Sequence, residues 1–190
     1  DVPVRLNVNE NPYPPSAAVI ESIATAVAQA AQGLNRYPER DFPRLRAALA
    51  DYLEAESGAH LTPEQIWAAN GSNEVMLHVL QAFGGPGRTC LTFTPTYSMY
   101  PEYARNTHTR YVTAPRREDH TLDAELVTAA VAEHRPDVVL MDVDMPGTDG
   151  LSATASLLER LPATRVLIVT TFGRPGFLRR AIQSGAHGFV

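Results

Sequence analysis

Apolar positions first take up a helical rhythm after residue 16. Val19, Ile20, Ile23 and Val27 share one helical face, Ser16 stands where an N-cap belongs, and Gly33 supplies the stop. The residues before them, with Asn7, Asn9 and Asn11 and the prolines Pro12, Pro14 and Pro15, predict an extended arm. A second amphipathic helix starts near Asp41 with Pro43 in its first turn. Leu45, Leu49, Tyr52 and Leu53 form its stripe and Gly58 ends it.

From about residue 64 the pattern changes to short apolar runs alternating with amphipathic stretches, the signature of a parallel sheet covered by helices. Strands are expected at 66–69, 89–93, 110–113, 138–141, 166–169 and 188–190, and helices at 74–83, 98–105, 123–133, 151–161 and 175–184. Gly84-Gly85-Pro86-Gly87 and Gly185 act as helix stops. No internal repeat or low-complexity tract interrupts the pattern.

The formal charge of −5, with no run of like charges, excludes a nucleic-acid or polybasic membrane surface. No stretch approaches the ~20 apolar residues of a membrane span, and Asp1 opens without the basic and apolar regions of a signal peptide. A cytoplasmic protein is expected. Cys90 is the single cysteine, so no internal disulfide forms, and its reading is a buried small hydrophobe. One absence limits the chemistry further. All 16 basic residues are arginine, so the chain has no side-chain amine that could act as a nucleophile.

Asn70-Gly71-Ser72-Asn73-Glu74 lies where a strand is expected to pass into a helix, so free backbone N–H groups and the helix dipole would face an anion there. On residue grounds alone, the reading of Ser72 or Asn73 as a helix cap is the stronger of the two. Neighbouring segments add weight to the first reading. Leu6-Asn7-Val8-Asn9-Glu10-Asn11-Pro12-Tyr13, Asn35-Arg36-Tyr37-Pro38, Gly71-Ser72-Asn73-Glu74 and Pro95-Thr96-Tyr97-Ser98-Met99-Tyr100 together resemble the histidinol-phosphate aminotransferase family over about residues 1–139. The resemblance implies a pyridoxal-phosphate fold in which Ser72 and Asn73 hold the cofactor phosphate and Tyr97 stacks on the pyridine ring. It also implies that Tyr37 reaches the cofactor phosphate of a partner subunit and that Tyr13 approaches the substrate. The family's asparagine-rich loop, its aspartate for the pyridine nitrogen and its Schiff-base lysine do not follow.

Residues 137–190 instead resemble the receiver domain of response regulators. The match runs through Asp137-Val138-Val139-Leu140-Met141-Asp142-Val143-Asp144-Met145-Pro146-Gly147-Thr148-Asp149-Gly150, then Val166-Leu167-Ile168-Val169-Thr170-Thr171-Phe172 and Ala181 to Val190. That resemblance implies Asp142 as phospho-acceptor and weak Mg²⁺ ligand, Thr170 as switch hydroxyl and Phe189 as the responding aromatic. Asp144 and Asp149 read as turn residues. The receiver's acidic pair and lysine are missing, so Mg²⁺ binds weakly and phosphorylation is slow.

The two resemblances share Arg135-Pro136-Asp137-Val138-Val139, which places a join inside a common strand. They imply an α/β fold: a three-layer open parallel sheet in flavodoxin-like order, with strands near 110, 89, 138, 166 and 188, and an N-terminal helical arm. The expected division is an arm with its helices over 1–60 and a hybrid domain over 61–190, aminotransferase-like to 136 and receiver-like from 137. The expected function is a recombined, engineered scaffold that is no enzyme and requires no cofactor, with vestigial sites for pyridoxal phosphate and Mg²⁺. Two alternatives stand beside it: a pyridoxal-phosphate-binding aminotransferase fragment that needs a partner chain, and a weak phospho-acceptor receiver. A homodimer is admitted by the apolar faces before residue 60.

Overall fold

The computed structural model describes residues 11–122, 124–145, 148–170 and 176–190, and the chain divides into two compact units, 1–43 and 44–190. In the first unit, α1 spans Ala17–Ala31. Ser16 caps it as its sequence position predicts, the side-chain oxygen accepting from the Val19 amide at 3.4 Å. The stripe of Val19, Ile20, Ile23 and Val27 is at least 48% exposed throughout.

Helix α2 (Pro43–Ser57), with Pro43 in its first turn, belongs to the second unit from Arg44 on. Arg46 ties α2 to the chain beyond it by donating from Nε to the Pro63 carbonyl at 2.6 Å. The strand expected at 66–69 is not formed. Pro63–Gln65 makes a 3-10 turn in which Gln65 Oε1 accepts from the Thr62 amide at 2.9 Å, and Gly71 N–H closes on the Ala69 carbonyl at 3.0 Å. Local bonds of this kind occupy backbone groups that a ladder would need, so Ile66 is buried without becoming a strand.

The order then becomes α3 (Gly71–Phe83), β1 (Thr89–Thr94), α4 (Tyr100–Asn106), β2 (Arg110–Pro115), α5 (Ala124–His134), β3 (Val138–Met141), α6 (Gly150–Arg160), β4 (Arg165–Ile168), α7 (Phe177–Gln183) and β5 (Gly188–Phe189). Pairing is parallel throughout. Thr89 faces Arg110 across β1 and β2, Val138 faces Arg165 across β3 and β4, and Leu167 faces Gly188 across β4 and β5. The α/β class with parallel strands is therefore as expected. The expected strand order is present in two hydrogen-bonded pieces, β2–β1 and β3–β4–β5. Among the described residues no ladder joins β1 to β3. What links their starts is an ion pair, Arg88 to Asp137 at 2.6 Å, with both side chains more than half exposed. Such a pair contributes about 0–1 kcal/mol.

The larger core lies around the three-stranded piece. Val166 and Ile168 of β4 are wholly buried and pack with Val143, Leu151, Phe177 and Ala181. Thr154 is equally inaccessible, and its hydroxyl returns to the Gly150 carbonyl at 2.7 Å, so burial leaves no unmet donor. Met76 of α3, Thr92 of β1 and Tyr103 and Ala104 of α4 are also buried. Thr92 and Tyr111 share a hydroxyl hydrogen bond of 2.7 Å across β1 and β2.

At Gly150 the helix start presses on the strand end, because a Cβ there would lie 1.8 Å from the Asp142 carbonyl oxygen. No side chain fits without moving backbone. Gly150→Ala should therefore destabilise the second unit by about 1–3 kcal/mol or more, read as a lower urea midpoint at unchanged slope.

Candidate functional site

Parallel pairing sends the loops that follow β1, β3 and β4 to the carboxyl ends of their strands, the edge where open α/β sheets hold ligands. The candidate residues gather at two places on these loops and on the helix that precedes β1.

The first is the start of α3. This helix begins at Gly71, a turn earlier than the sequence predicts, so Ser72 and Asn73 lie inside its first turn. The cap reading of those two residues is thereby set aside. Asn70 holds the N-cap position without a side-chain bond, and the Glu74 carboxylate reaches back to accept from the Asn70 amide at 2.5 Å. That bond is the main reason the Glu74 carboxyl titrates below its ordinary range. First-turn amides have no partner within their own helix. Gly71 adopts φ +79° with nothing within 4 Å of the position a Cβ would occupy, and its own amide is taken by the Ala69 carbonyl at 3.0 Å.

Above this helix start stands a group of tyrosines from the loop after β1. Tyr97 donates to Asn73 Oδ1 at 3.2 Å, and Tyr103 of α4 donates to the same oxygen at 2.5 Å. Tyr100 lies edge-on to both, with centroids 5.8 Å from Tyr97 and 6.4 Å from Tyr103. Arg116 straps the loop from behind, its Nε donating to the Pro95 carbonyl at 2.9 Å and its backbone amide to the Thr94 carbonyl at 2.9 Å. Tyr97 and Asn73, predicted separately, are thus brought together. Tyr103 and Arg116 were not predicted. For Tyr103 the available signal is its spacing of three from Tyr100 on a short helix, which puts both on neighbouring positions of one face.

The second place is the end of β3. Asp142 follows Met141, whose register partner is Ile168, and Thr170 lies two residues beyond Ile168 on the adjacent strand. The Val169 amide donates to the Met141 carbonyl at 2.9 Å, and the Thr170 amide donates to the Val190 carbonyl at 3.2 Å. Phe189 belongs to β5 and pairs with Ile168. Asp142 Oδ1 accepts from the Val143 amide at 2.7 Å. Among the described residues no three His, Cys, Asp or Glu side chains cluster as a metal site. Burial is the main cause raising the Tyr100 phenol above its ordinary range, and the Asp142 charge adds to it. Cys90, half-buried on β1, has its thiol raised by burial alone.

Tyr13 and Tyr37 belong to the first unit. Both are exposed, Tyr37 fully, and the Tyr13 amide donates to Asn11 Oδ1 at 3.0 Å.

The architecture is that of the pyridoxal-phosphate aminotransferases. It overlays aspartate aminotransferase from Thermus thermophilus with a TM-score of 0.72 at 20% identity, covering 95% of this chain and 50% of that one. N-succinyldiaminopimelate aminotransferase from Mycobacterium tuberculosis overlays with a TM-score of 0.61 at 21% identity, covering 79% and 41%. In sequence, residues 2–171 match the model of aminotransferase class I and II, and the chain belongs to that family. Histidinol-phosphate aminotransferase 3 of Burkholderia lata is 58% identical over 141 residues, which are 74% of this chain and 38% of the relative. The histidinol-phosphate aminotransferase of Corynebacterium diphtheriae is 52% identical over 169 residues, 89% of this chain and 46% of the relative. The chain thus spans less than half the length of these relatives.

Two expectations are corrected by these findings. The reading as no enzyme is overturned, because the matched family and its relatives are enzymes. The reading that no cofactor is required falls with it, because the homologous aminotransferases depend on pyridoxal phosphate. Both rested on the absent lysine. A group missing from a chain that covers 38% of a relative carries no weight against the activity of the whole. Among the described residues, no helix is long and apolar enough to cross a membrane.

Asp149, read as a turn residue, is the N-cap of α6. Its carboxylate accepts from the Leu151 amide at 2.9 Å, the Ser152 amide at 3.1 Å and the Ser152 hydroxyl at 2.8 Å. The Ser152 amide, then its hydroxyl, hold the carboxyl below its ordinary range. A depressed folded value means that this stabilisation is complete above the unfolded value and is lost as pH falls through the folded one. Asp149→Ala should cost about 1 kcal/mol at neutral pH, and the gap between variant and parent should close in acid, as urea midpoints at pH 7 and pH 3 would show.

Proposed function

We propose that this chain forms the cofactor-facing part of a pyridoxal-phosphate-dependent aminotransferase acting on histidinol phosphate, with the amine nucleophile supplied from outside these 190 residues. The observation that carries the reading is the hydrogen bond from Tyr97 to Asn73 in the first turn of α3, in a chain 58% identical to a histidinol-phosphate aminotransferase.

The donor set fits the phosphate and the ring of that cofactor, and does not fit its covalent attachment. The Ser72 hydroxyl and the first-turn amides offer donors to a phosphate at the positive end of the helix dipole. Glu74 keeps its charge turned toward the Asn70 amide. Tyr97, tethered by its hydroxyl, presents a ring face to a planar ligand. When bound, the cofactor supplies an electron sink next to the substrate carbon that loses its proton. Tyr37 reaches the cofactor phosphate of a partner subunit, and Tyr13 approaches the substrate, in a cytoplasmic homodimer. The exposed apolar stripe of α1 supports such an association.

A second reading keeps the resemblance of residues 137–190 to a receiver domain and takes the chain as a recombination of two families. Asp142 and Thr170 at adjacent strand ends, with Phe189 on the third strand, favour it. The family match running to residue 171, past the shared strand, favours the first. In the second reading acetyl phosphate transfers its phosphoryl group to the Asp142 carboxylate and releases acetate, slowly, and Asp142→Asn abolishes the label. No label on Asp142 after prolonged incubation with Mg²⁺ would remove the reading.

The main reading is tested by titrating the chain with pyridoxamine 5′-phosphate. Saturable binding is expected, weakened about tenfold by Tyr97→Ala, since aromatic stacking contributes about 0.5–1.5 kcal/mol beyond area burial. Borohydride treatment with pyridoxal phosphate should leave no adduct on any internal residue. Absence of saturable binding, or indifference to Tyr97→Ala, would overturn the assignment.

A further inference from the structure

Asn73 Oδ1 is claimed from two sides. Tyr103 is 3% exposed, on a helix whose next residue, Ala104, is wholly buried, and its hydroxyl lies 2.5 Å from that oxygen. Its own carbonyl receives the Thr107 hydroxyl at 2.9 Å, which anchors the helix end. Tyr97, by contrast, is 52% exposed and sits on a loop, and its hydroxyl lies 3.2 Å from the same oxygen. A carbonyl oxygen has two lone pairs, so two phenols exhaust it. Tyr100 fills the angle between them, edge-on to each at 86° and 75°.

We propose that Tyr103 and Asn73 form a fixed strut that sets the tilt of the Tyr97 ring, so that Asn73 serves the site through its side chain as a positioning residue and not as a phosphate ligand. The inference rests on the reading of this site as one for a phosphate-bearing planar ring. Its physical content is a chain of constraints: the buried phenol fixes the carboxamide, and the carboxamide fixes the exposed phenol. A tyrosine half in water loses rotamer freedom when it packs on a ligand, and a ring held in advance loses less. Burial raises the Tyr103 phenol above its ordinary range, so it remains a donor at neutral pH.

The test uses the whole chain and two probes, pyridoxamine 5′-phosphate and inorganic phosphate, and reads the ratio of their affinities. A phosphate ligand moves both affinities; a ring-positioning residue moves the ratio. Tyr103→Phe keeps the buried ring and should lower the ratio about 3- to 10-fold, the loss of one hydrogen bond, with a weaker induced circular dichroism band from the bound pyridine. Asn73→Ala should lower the ratio as much. Asn73→Asp, which keeps the acceptor oxygens, should preserve it even though its charge weakens both probes together. Tyr97→Phe and Tyr103→Phe combined should do no more than either alone, since they cut one chain. If Tyr103→Phe lowers both affinities equally or leaves the ratio unmoved in a folded protein, the strut is refuted while the site reading stands. If Tyr103→Phe does not fold, Tyr97→Phe decides in its place. A parent chain that binds neither probe refutes the site reading and the strut with it.

Discussion

Parallel pairing of short strands is the constraint on which the rest of the second unit depends. Because β1 and β2 run together, and β3, β4 and β5 run together, each of β1 to β4 hands the chain to a connection at its carboxyl end before the next helix. Tyr97 and Tyr100 enter by the loop after β1, Asp142 by the loop after β3, and Thr170 by the stretch after β4. The Arg88–Asp137 pair joins the opposite ends of β1 and β3, and the influence of Asp142 on Tyr100 is felt at the carboxyl ends. The two hydrogen-bonded pieces of sheet thus present their loops in the same sense.

The acidic residues of this region show how a fold assigns side chains that look alike in sequence. Asp149 is spent on the first turn of α6, where three donors converge on it. Asp137 is paired with Arg88 at 2.6 Å. Asp142 accepts the amide of the next residue, and its carbonyl bears against Gly150. A divalent cation needs several oxygen ligands pointing inward, and these three carboxylates serve three separate local tasks.

The tyrosines divide labour in a comparable way. Tyr103 contributes packing and a donor from the interior, Tyr100 an aromatic edge, and Tyr97 an exposed face. Of the three, Tyr97 is the exposed one, at 52%. The chain belongs to the aminotransferase class I and II family, and in the reading proposed for it the Tyr97 ring and the start of α3 would meet the two halves of a phosphate-bearing planar cofactor.

Much of this was legible in the residues themselves. The helical stripe behind Ser16, the alternation of short apolar runs with amphipathic segments, and the stops at glycine depend on spacing within one element, which a linear sequence carries. The motifs around Ser72 and Tyr97 carried the resemblance to an aminotransferase family, which the family match over residues 2–171 supports. What failed were features decided by neighbours distant in the chain. The run at 66–69 had the composition of a strand but no strand beside it, and its turn bonds won. The helix start moved back to Gly71, where the Glu74 carboxylate is drawn to Asn70 and the tyrosine loop lies across Asn73. The missing lysine was read as missing chemistry, although a covered length below half of the relatives leaves room for it elsewhere. The sequence by itself determined the periodicity of each element and the chemical groups available. Tertiary structure alone decided which oxygen met which donor, because Asn73 and Tyr103 are thirty residues apart and meet only once β1 has turned the chain back.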